Sequence, residues 1–540
     1  MSPLKRRPTR LVAAFGALLL AVGVAATPAS AATWEVITGT GSTWSQNALD
    51  QWRTNVASNY GMTVNYSGVG SSAGRRDFIA GTIDYAVSEI PFQSSPEDGS
   101  APEVPPRGYA YMPIVAGGTA FMYHLNIGGK RVTNLRLSGD TITRIFTGTI
   151  TNWNDPAIQA DNPGLAMPDK AIVPVVRSDG SGSSAQFSLW MSKQHSDVWT
   201  AGMRSQFPTP ANGKAQSGSS GVAGYVSQGY GEGAITYVEY SYALESGFPV
   251  AKVLNAADYY VEPTSSSVAV ALLQAQINND AASADYLTQI LDGVYNSGDP
   301  RTYPLSSYSY MIVPTEVKPP AVFTEPKGAT LGAFASYMLC EGQQQAADLG
   351  YSPLPMNLVL AGFDQIKRIP GAGGASVDPN ACNNPTFKPG DSPSNNQLAL
   401  TAPQPADCDK RGPNQCTTGT AGAPQETPVS GSGSGGSATA GPGGTGTTAD
   451  PAAAGPAAAA GAAPVYDEFG NLISGGNGAV AGVATASPFT VGDDGWGWEE
   501  TVMLGSVALL LAAVVLPPFL SPRLRRANGP GEKSTIGAAR

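Results

Sequence analysis

The sequence predicts an α/β fold over about residues 33–370 of a 540-residue chain, followed by a long segment that builds no core. Three observations carry this expectation. Between Thr33 and Pro370, short apolar runs alternate with amphipathic ones, the order in which strands feed helices that cover a sheet. Apolar residues make up 42% of the chain, enough to bury a sizeable core and too many for a wholly disordered polymer. From Gly371 to Glu500, by contrast, 39 of 130 residues are Gly or Pro, which is low-complexity composition.

Strands are expected at Trp34–Thr38, Met62–Tyr66, Ile83–Val87, Ala120–Leu125, Ile172–Val176, Ala234–Val238 and Tyr310–Val313. Helices follow several of them directly. Gln46 to Ala57 places Leu49, Trp52 and Val56 on one face, Arg75 to Ala80 is a short second helix, and Ser184 to Lys193 groups Phe187, Trp190 and Met191.

The joints between strands and helices carry the chemistry. They read Gly39-Thr40-Gly41-Ser42-Thr43-Trp44, Gly68-Val69-Gly70-Ser71-Ser72-Ala73-Gly74 and Arg177-Ser178-Asp179-Gly180-Ser181-Gly182-Ser183-Ser184. Small residues let backbone N–H groups face a ligand, hydroxyls can donate, and a helix start offers unpaired N–H donors with a partial positive charge. Any one such turn could be an ordinary N-cap. Three in one domain, one of them holding Arg177, point to an anion site.

Two other motifs overlap the middle turn. Gly68-x-Gly70-x-x-Ala73, with Glu89 downstream, approaches a dinucleotide fingerprint, but an exported protein would meet no nicotinamide pool. Gly70-x-Ser72-x-Gly74 matches a nucleophile elbow, which would make Ser72 the nucleophile of a phosphatase or esterase. That reading needs a histidine partner. His195 lies in the polar stretch Lys193-Gln194-His195-Ser196-Asp197, where a surface role is expected.

Both ends of the chain read as membrane-related. Lys5-Arg6-Arg7, an apolar run from Leu11 to Ala26 and Ala29-Ser30-Ala31 form a secretory signal over 1–31. Thr501 to Leu520 carries no charge and, at 1.5 Å per residue, would match the hydrocarbon thickness of a bilayer, about 30 Å. Trp496 and Trp498 precede it and Arg523, Arg525 and Arg526 follow, so 521–540 is expected to be a cytoplasmic tail. Residues 371–500 would be the tether. Cys340, Cys382, Cys408 and Cys416 then all lie outside the membrane, an even count that suggests two disulfides with three possible pairings. Neither a metal nor a cofactor is expected, because the cysteine spacings do not suit a metal and His124 and His195 are the only histidines. The formal net charge of −10, with 13% charged residues and no basic stripe, argues against nucleic acid.

The Asp-Gly-Ser-Gly-Ser turn with its Arg, the Gly-Ser-Ser before a helix, and Leu349-Gly350-Tyr351-Ser352-Pro353-Leu354-Pro355 together resemble the phosphate-binding proteins of bacterial phosphate-specific ABC transporters. The resemblance runs over most of residues 33–370. It implies a two-lobed type II periplasmic-binding-protein ("Venus flytrap") fold with phosphate between the lobes. Lobe I would hold about 33–115 and 312–370, and lobe II about 116–311, with crossings near Tyr111–Gly118 and Ser306–Pro314.

The resemblance also implies a ligand set. The family's first turn gives a Thr hydroxyl and the next backbone N–H, here Thr43 and Trp44, the latter replacing the usual Phe. Its second turn gives a Ser, here Ser71, and an Asp after the next strand accepts the phosphate proton, where this chain has Glu89. The last turn gives an Arg, a bracing Asp, a Ser, a Gly N–H and a Thr, which become Arg177, Asp179, Ser181, Gly182 and Ser183, the last with Ser in place of Thr. A fixed carboxylate accepts a hydrogen bond from protonated phosphate but faces lone pairs on sulfate, the kind of contrast that discriminates by roughly 10⁴–10⁵. The implied activity is capture without catalysis, by a monomer delivering phosphate to an ABC permease. A surface phosphate sensor or scaffold without transport is the alternative.

Overall fold

Alternation of strand and helix builds the first lobe from its N-terminal end. β1 (Ile37–Gly41) runs into α1 (Gln46–Tyr60), β2 (Val64–Gly68) into α2 (Ser71–Ala80), and β3 (Tyr85–Ser88) follows. β1 pairs parallel with both β2 and β3, so α1 and α2 are crossover helices whose N-termini sit at the carboxyl ends of the strands. α1 holds its place by burying Ala48, Leu49, Trp52 and Val56, a helical spacing, and ends at Gly61 in the left-handed conformation. Such a parallel β–α unit gathers loop residues at one edge of the sheet, where ligands bind in this architecture.

β4 (Tyr109–Tyr123) then leaves the first lobe, and β5 (Val173–Arg177), α3 (Gly182–Gln194), β6 (Lys214–Gln216), α4 (Gly218–Ser227), β7 (Ala234–Glu239), α5 (Tyr240–Ser246), β8 (Val250–Leu254) and α6 (Ser265–Leu272) build the second. β5 pairs parallel with β6 and β7, which repeats the first lobe's arrangement and points α3 and α4 at its carboxyl edge. β9 (Ser306–Pro314) returns to the first lobe, completed by α7 (Glu325–Leu339) and α8 (Met356–Ile366). The main path of the sheet is β2-β1-β3-β9-β4-β7-β5-β6. Separate apolar cores form in each half: Trp52, Phe78, Tyr111, Phe334 and Phe363 belong to one, Phe121, Trp153, Phe187, Trp190 and Tyr237 to another. The fold is therefore a mixed α/β structure of two lobes. The two crossing strands, β4 and β9, pair antiparallel from Tyr109↔Pro314 to Gly118↔Ser306, with an irregularity at Ser309/Tyr310.

In this computed structural model the described residues are 34–423, except 98, 284, 374–380, 393–394 and 421–422, together with the short antiparallel pair Val465–Tyr466 and Leu472–Ser474. The expected signal at 1–31, the apolar segment 501–520 and the tail 521–540 lie outside them. Among the described residues no helix is long and apolar enough to cross a membrane.

One expectation needs correction. A tether is expected to begin at residue 371, but the described residues between 381 and 423 pack against both lobes. Cys382 bonds Cys340, and Asn384 and Thr386 donate to the carbonyl of Leu354 at 3.0 and 2.8 Å in the first lobe. α9 (Gln397–Leu400) follows, and its Ala399 with Ala402 packs on Ala269 and Val270 of α6. The loop closed by Cys408–Cys416 then sits on the second lobe, where Arg136 donates to the carbonyls of Cys408 and Asn414 at 3.0 and 2.9 Å. Lys252 pairs with Asp409 at 2.8 Å, and Thr420 exchanges hydrogen bonds with the backbone of Val250. Side chains of the lobes satisfy this irregular backbone in place of a sheet or helix ladder. The four cysteines pair as the short loop and the longer staple, one of the three possible pairings.

Candidate functional site

The three Gly/Ser turns meet in the cleft between the lobes. From the first lobe come the β1–α1 turn with Thr43 and Trp44, the start of α2 with Ser71, and Glu89 just past β3. The second lobe supplies Arg177 at the end of β5 and the turn leading into α3, whose N-cap is Ser181. Thr43, Trp44, Ser71, Glu89, Arg177, Ser181, Gly182 and Ser183 are all buried, while Asp179 is partly open.

Arg177 is the charge at the centre. Asp179 braces it in a fork, with Nε donating to Oδ1 at 2.8 Å and Nη2 donating to Oδ2. The Gly218 amide donates to Asp179 Oδ1 at 3.0 Å. Burial would raise the Asp179 carboxyl, but the hydrogen bonds and charge of Arg177, with the Gly218 amide, outweigh it and hold the group below the usual carboxylate range. The brace leaves Arg177 fixed in direction, as bidentate recognition of an oxyanion requires.

Glu89 sits opposite and is equally buried. Its two oxygens accept from Ser71 Oγ and from Ser309 Oγ, both at 2.8 Å. Ser71 Oγ in turn accepts the Gly182 N–H at 3.1 Å, so Gly182, Ser71 and Glu89 form one chain of hydrogen bonds across the cleft. Glutamate's extra methylene is accommodated against Gly182, where a Cβ would lie 1.8 Å from Glu89 Oε2. Gly70, at φ +93°, is another position that requires glycine, since a Cβ there would meet Asp179 Oδ2 at 2.6 Å.

Of the backbone donors expected to face a ligand, two are engaged within the protein. The Trp44 amide donates to Ser42 Oγ at 2.9 Å, and the Gly182 amide donates to Ser71. Ser181 Oγ caps α3 by accepting from Ser184 N at 3.3 Å, whereas the buried Ser183 hydroxyl has no partner among the described residues. Two contributors were missed. Ser219, at the start of α4, bonds both Thr43 and Arg177, and Ser309 on the crossing strand bonds Glu89. The first was readable, because Ser217-Gly218-Ser219-Ser220-Gly221 repeats the Gly/Ser chemistry of the other turns. Ser309 carries no local signal; only strand register brings it there.

The hydrolase reading asks for a histidine beside Ser72, and among the described residues neither histidine is hydrogen-bonded to it. Ser72 lines a cavity of about 230 Å³ with Arg75, Arg76 and Gln206, and its hydroxyl accepts from Arg75. His124 Nδ1 lies 3.0 Å from the Val226 carbonyl, and His195 stacks edge-on against Trp190 with ring centroids 4.9 Å apart. His195 is half-buried rather than exposed, and burial pushes its pKa down. Among the described residues no cluster of His, Cys, Asp or Glu could hold a metal.

A model of the PBP superfamily domain matches residues 25–341. The phosphate-binding protein PstS of Xylella fastidiosa is 33% identical over 327 residues, which cover 60% of this chain and 82% of that protein. The chain belongs to the PstS family of the PBP superfamily. Phosphate-binding protein PstS 2 of Mycobacterium tuberculosis is 32% identical over 324 residues, covering 58% and 82% of the two chains. The solved phosphate-binding protein of Stenotrophomonas maltophilia aligns at 17% identity with a TM-score of 0.43, over 61% of this chain and 92% of its own. The strap, the described residues between 381 and 423, lies beyond the part that the superfamily model matches.

Proposed function

We propose that the two lobes capture inorganic phosphate outside the cytoplasm and deliver it to an ABC permease. The observation that carries this reading is the pairing of a braced, buried guanidinium with a buried carboxylate across one cleft. Arg177 supplies the fixed positive charge, and Glu89 supplies an acceptor that suits a protonated oxyanion and opposes an unprotonated one. Buried hydroxyls at Thr43, Ser71 and Ser183 supply the remaining polar lining. Closure about β4 and β9 would bring these groups together, and opening would release the anion. The names of the PstS relatives in Xylella fastidiosa and Mycobacterium tuberculosis support phosphate as the ligand.

The same proposal includes export by the signal at 1–31 and anchoring by 501–520, with the folded unit outside and 521–540 in the cytoplasm. The tether is then the low-complexity sequence after residue 423. The chain would act as a monomer, without catalysis. Isothermal titration of the purified protein with phosphate, sulfate and arsenate tests the ligand: phosphate binds, sulfate does not, and Arg177→Ala abolishes phosphate binding while the protein stays folded. Absence of heat with every anion sinks the reading.

A further inference from the structure

Ser219 joins the two halves of the site, although it belongs to none of the three turns that announce it. It is buried, 1% exposed, at the start of α4 in the second lobe. Its backbone N–H donates to Thr43 Oγ1 of the first lobe at 3.1 Å, and its hydroxyl lies 2.8 Å from the same oxygen. Arg177 Nη1 donates to Ser219 Oγ at 3.3 Å. Ser219 therefore contacts the guanidinium from its own lobe and the threonine from the other.

Counting hydrogens gives this arrangement a direction. Thr43 Oγ1 accepts one N–H from Ser219, and Ser219 Oγ accepts one N–H from Arg177. The two hydroxyls share a single hydrogen bond, which uses one of their two hydrogens. The other hydrogen has no acceptor among the described residues, and both side chains are buried away from water. A buried donor without an acceptor is costly, and an oxyanion held by Arg177 would supply the acceptor. The Thr43–Ser219 bond also crosses the cleft, so it exists only when the lobes are together. Tyr242 reinforces the same contact by donating its hydroxyl to the Thr43 carbonyl from the second lobe at 2.5 Å.

We propose that Ser219 is a positioning residue of the anion site, which on lobe closure fixes the Thr43 hydroxyl as a donor to the bound oxyanion and steadies Arg177. The proposal rests on the phosphate-binding reading above. Its test is a double-mutant cycle on phosphate affinity, by titration of the full chain carrying Ser219→Ala, Thr43→Val or both. Ser219→Ala is expected to lose about tenfold, the cost of one hydrogen bond in a charged network. In the Thr43→Val background the same change should cost no more than about threefold, because its main route of action is gone. Ser219→Thr, which keeps the hydroxyl, should stay within about threefold of the unsubstituted protein. A helix start that matters only for folding would lower thermal stability and reduce affinity equally in both backgrounds. Equal losses, or unchanged affinity in Ser219→Ala, overturn the proposal while the unsubstituted protein still binds phosphate. If the unsubstituted protein binds no phosphate, the underlying reading fails as well.

Discussion

Glu89 and Gly182 are a matched pair, and their match determines what the site can accept. Glu89 is one methylene longer than an aspartate, and its carboxylate lies where a Cβ on Gly182 would be, 1.8 Å away. Gly182→Ala should therefore act as steric exclusion. Phosphate affinity is expected to fall at least about 100-fold, because the new methyl and the Glu89 carboxylate cannot occupy the same space. The companion Glu89→Asp should relieve part of that loss in the double variant, measured by the same titration; no rescue would mean that the clash is not with the carboxylate. Glu89→Gln tests chemistry instead of size. It keeps the shape but presents an N–H, so the preference for phosphate over sulfate should fall by at least about tenfold. An unchanged ratio would show that Glu89 does not read the ligand's proton. At this scale the sequence was informative, since Arg177, Asp179 and the serines of two turns were visible as residue types in order. Ser309 was not, because a serine inside a strand looks like any other until the register of β3 and β9, with Tyr310 opposite Ser88, places it beside Glu89.

At the scale of elements, the joint between β7 and α5 holds a carboxyl with an unusual environment. Glu239 is fully buried, and its Oε2 accepts the Ser241 N–H at 2.7 Å as the N-cap of α5. Burial raises its pKa well above the carboxylate range, against the smaller opposing effect of the hydrogen bonds around Ser241. A group raised in the folded state contributes stability below its unfolded value, about 4.3, and that contribution is lost as pH rises through the folded value. Stability should thus fall with rising pH above about 4.3 with a slope of up to about 1.4 kcal/mol per unit from this group. Glu239→Gln is expected to flatten that part of the curve, read from urea unfolding across a pH series. Parallel curves for the two proteins would remove Glu239 as the source. Strands β1, β2, β3, β5, β7 and β9 were legible within a few residues, and α1 and α3 follow apolar spacing, whereas β6, β8 and helices α4 to α9 were not read from the sequence. β4 was not fully legible, because its first half, Tyr109-Ala110-Tyr111-Met112-Pro113, carries a proline that breaks the usual strand pattern.

The whole molecule differs most from its sequence in the strap. Composition past residue 371 reads as tether, yet Cys382, Cys408 and Cys416 lie in that stretch, and cysteines that pair need fixed neighbours. What composition concealed is that irregular chain can be held by side chains from elsewhere, here Arg136, Arg301 and Lys252. Because it begins on the first lobe and ends on the second, the strap is a third connection between lobes that β4 and β9 already join. Two consequences follow for the folded unit. Ending the chain at residue 390 removes the Cys408–Cys416 loop and strips the buried Arg136 of two carbonyl acceptors, so stability should fall by at least about 2 kcal/mol. The second concerns motion. A strap fastened at both ends limits how far the lobes can part, so the shortened protein should open wider without ligand. Small-angle scattering would then record a larger decrease in radius of gyration on adding phosphate to the shortened protein than to one ending at residue 423. Equal changes in the two proteins would show that the strap follows the second lobe without restraining the hinge, leaving stability as its contribution.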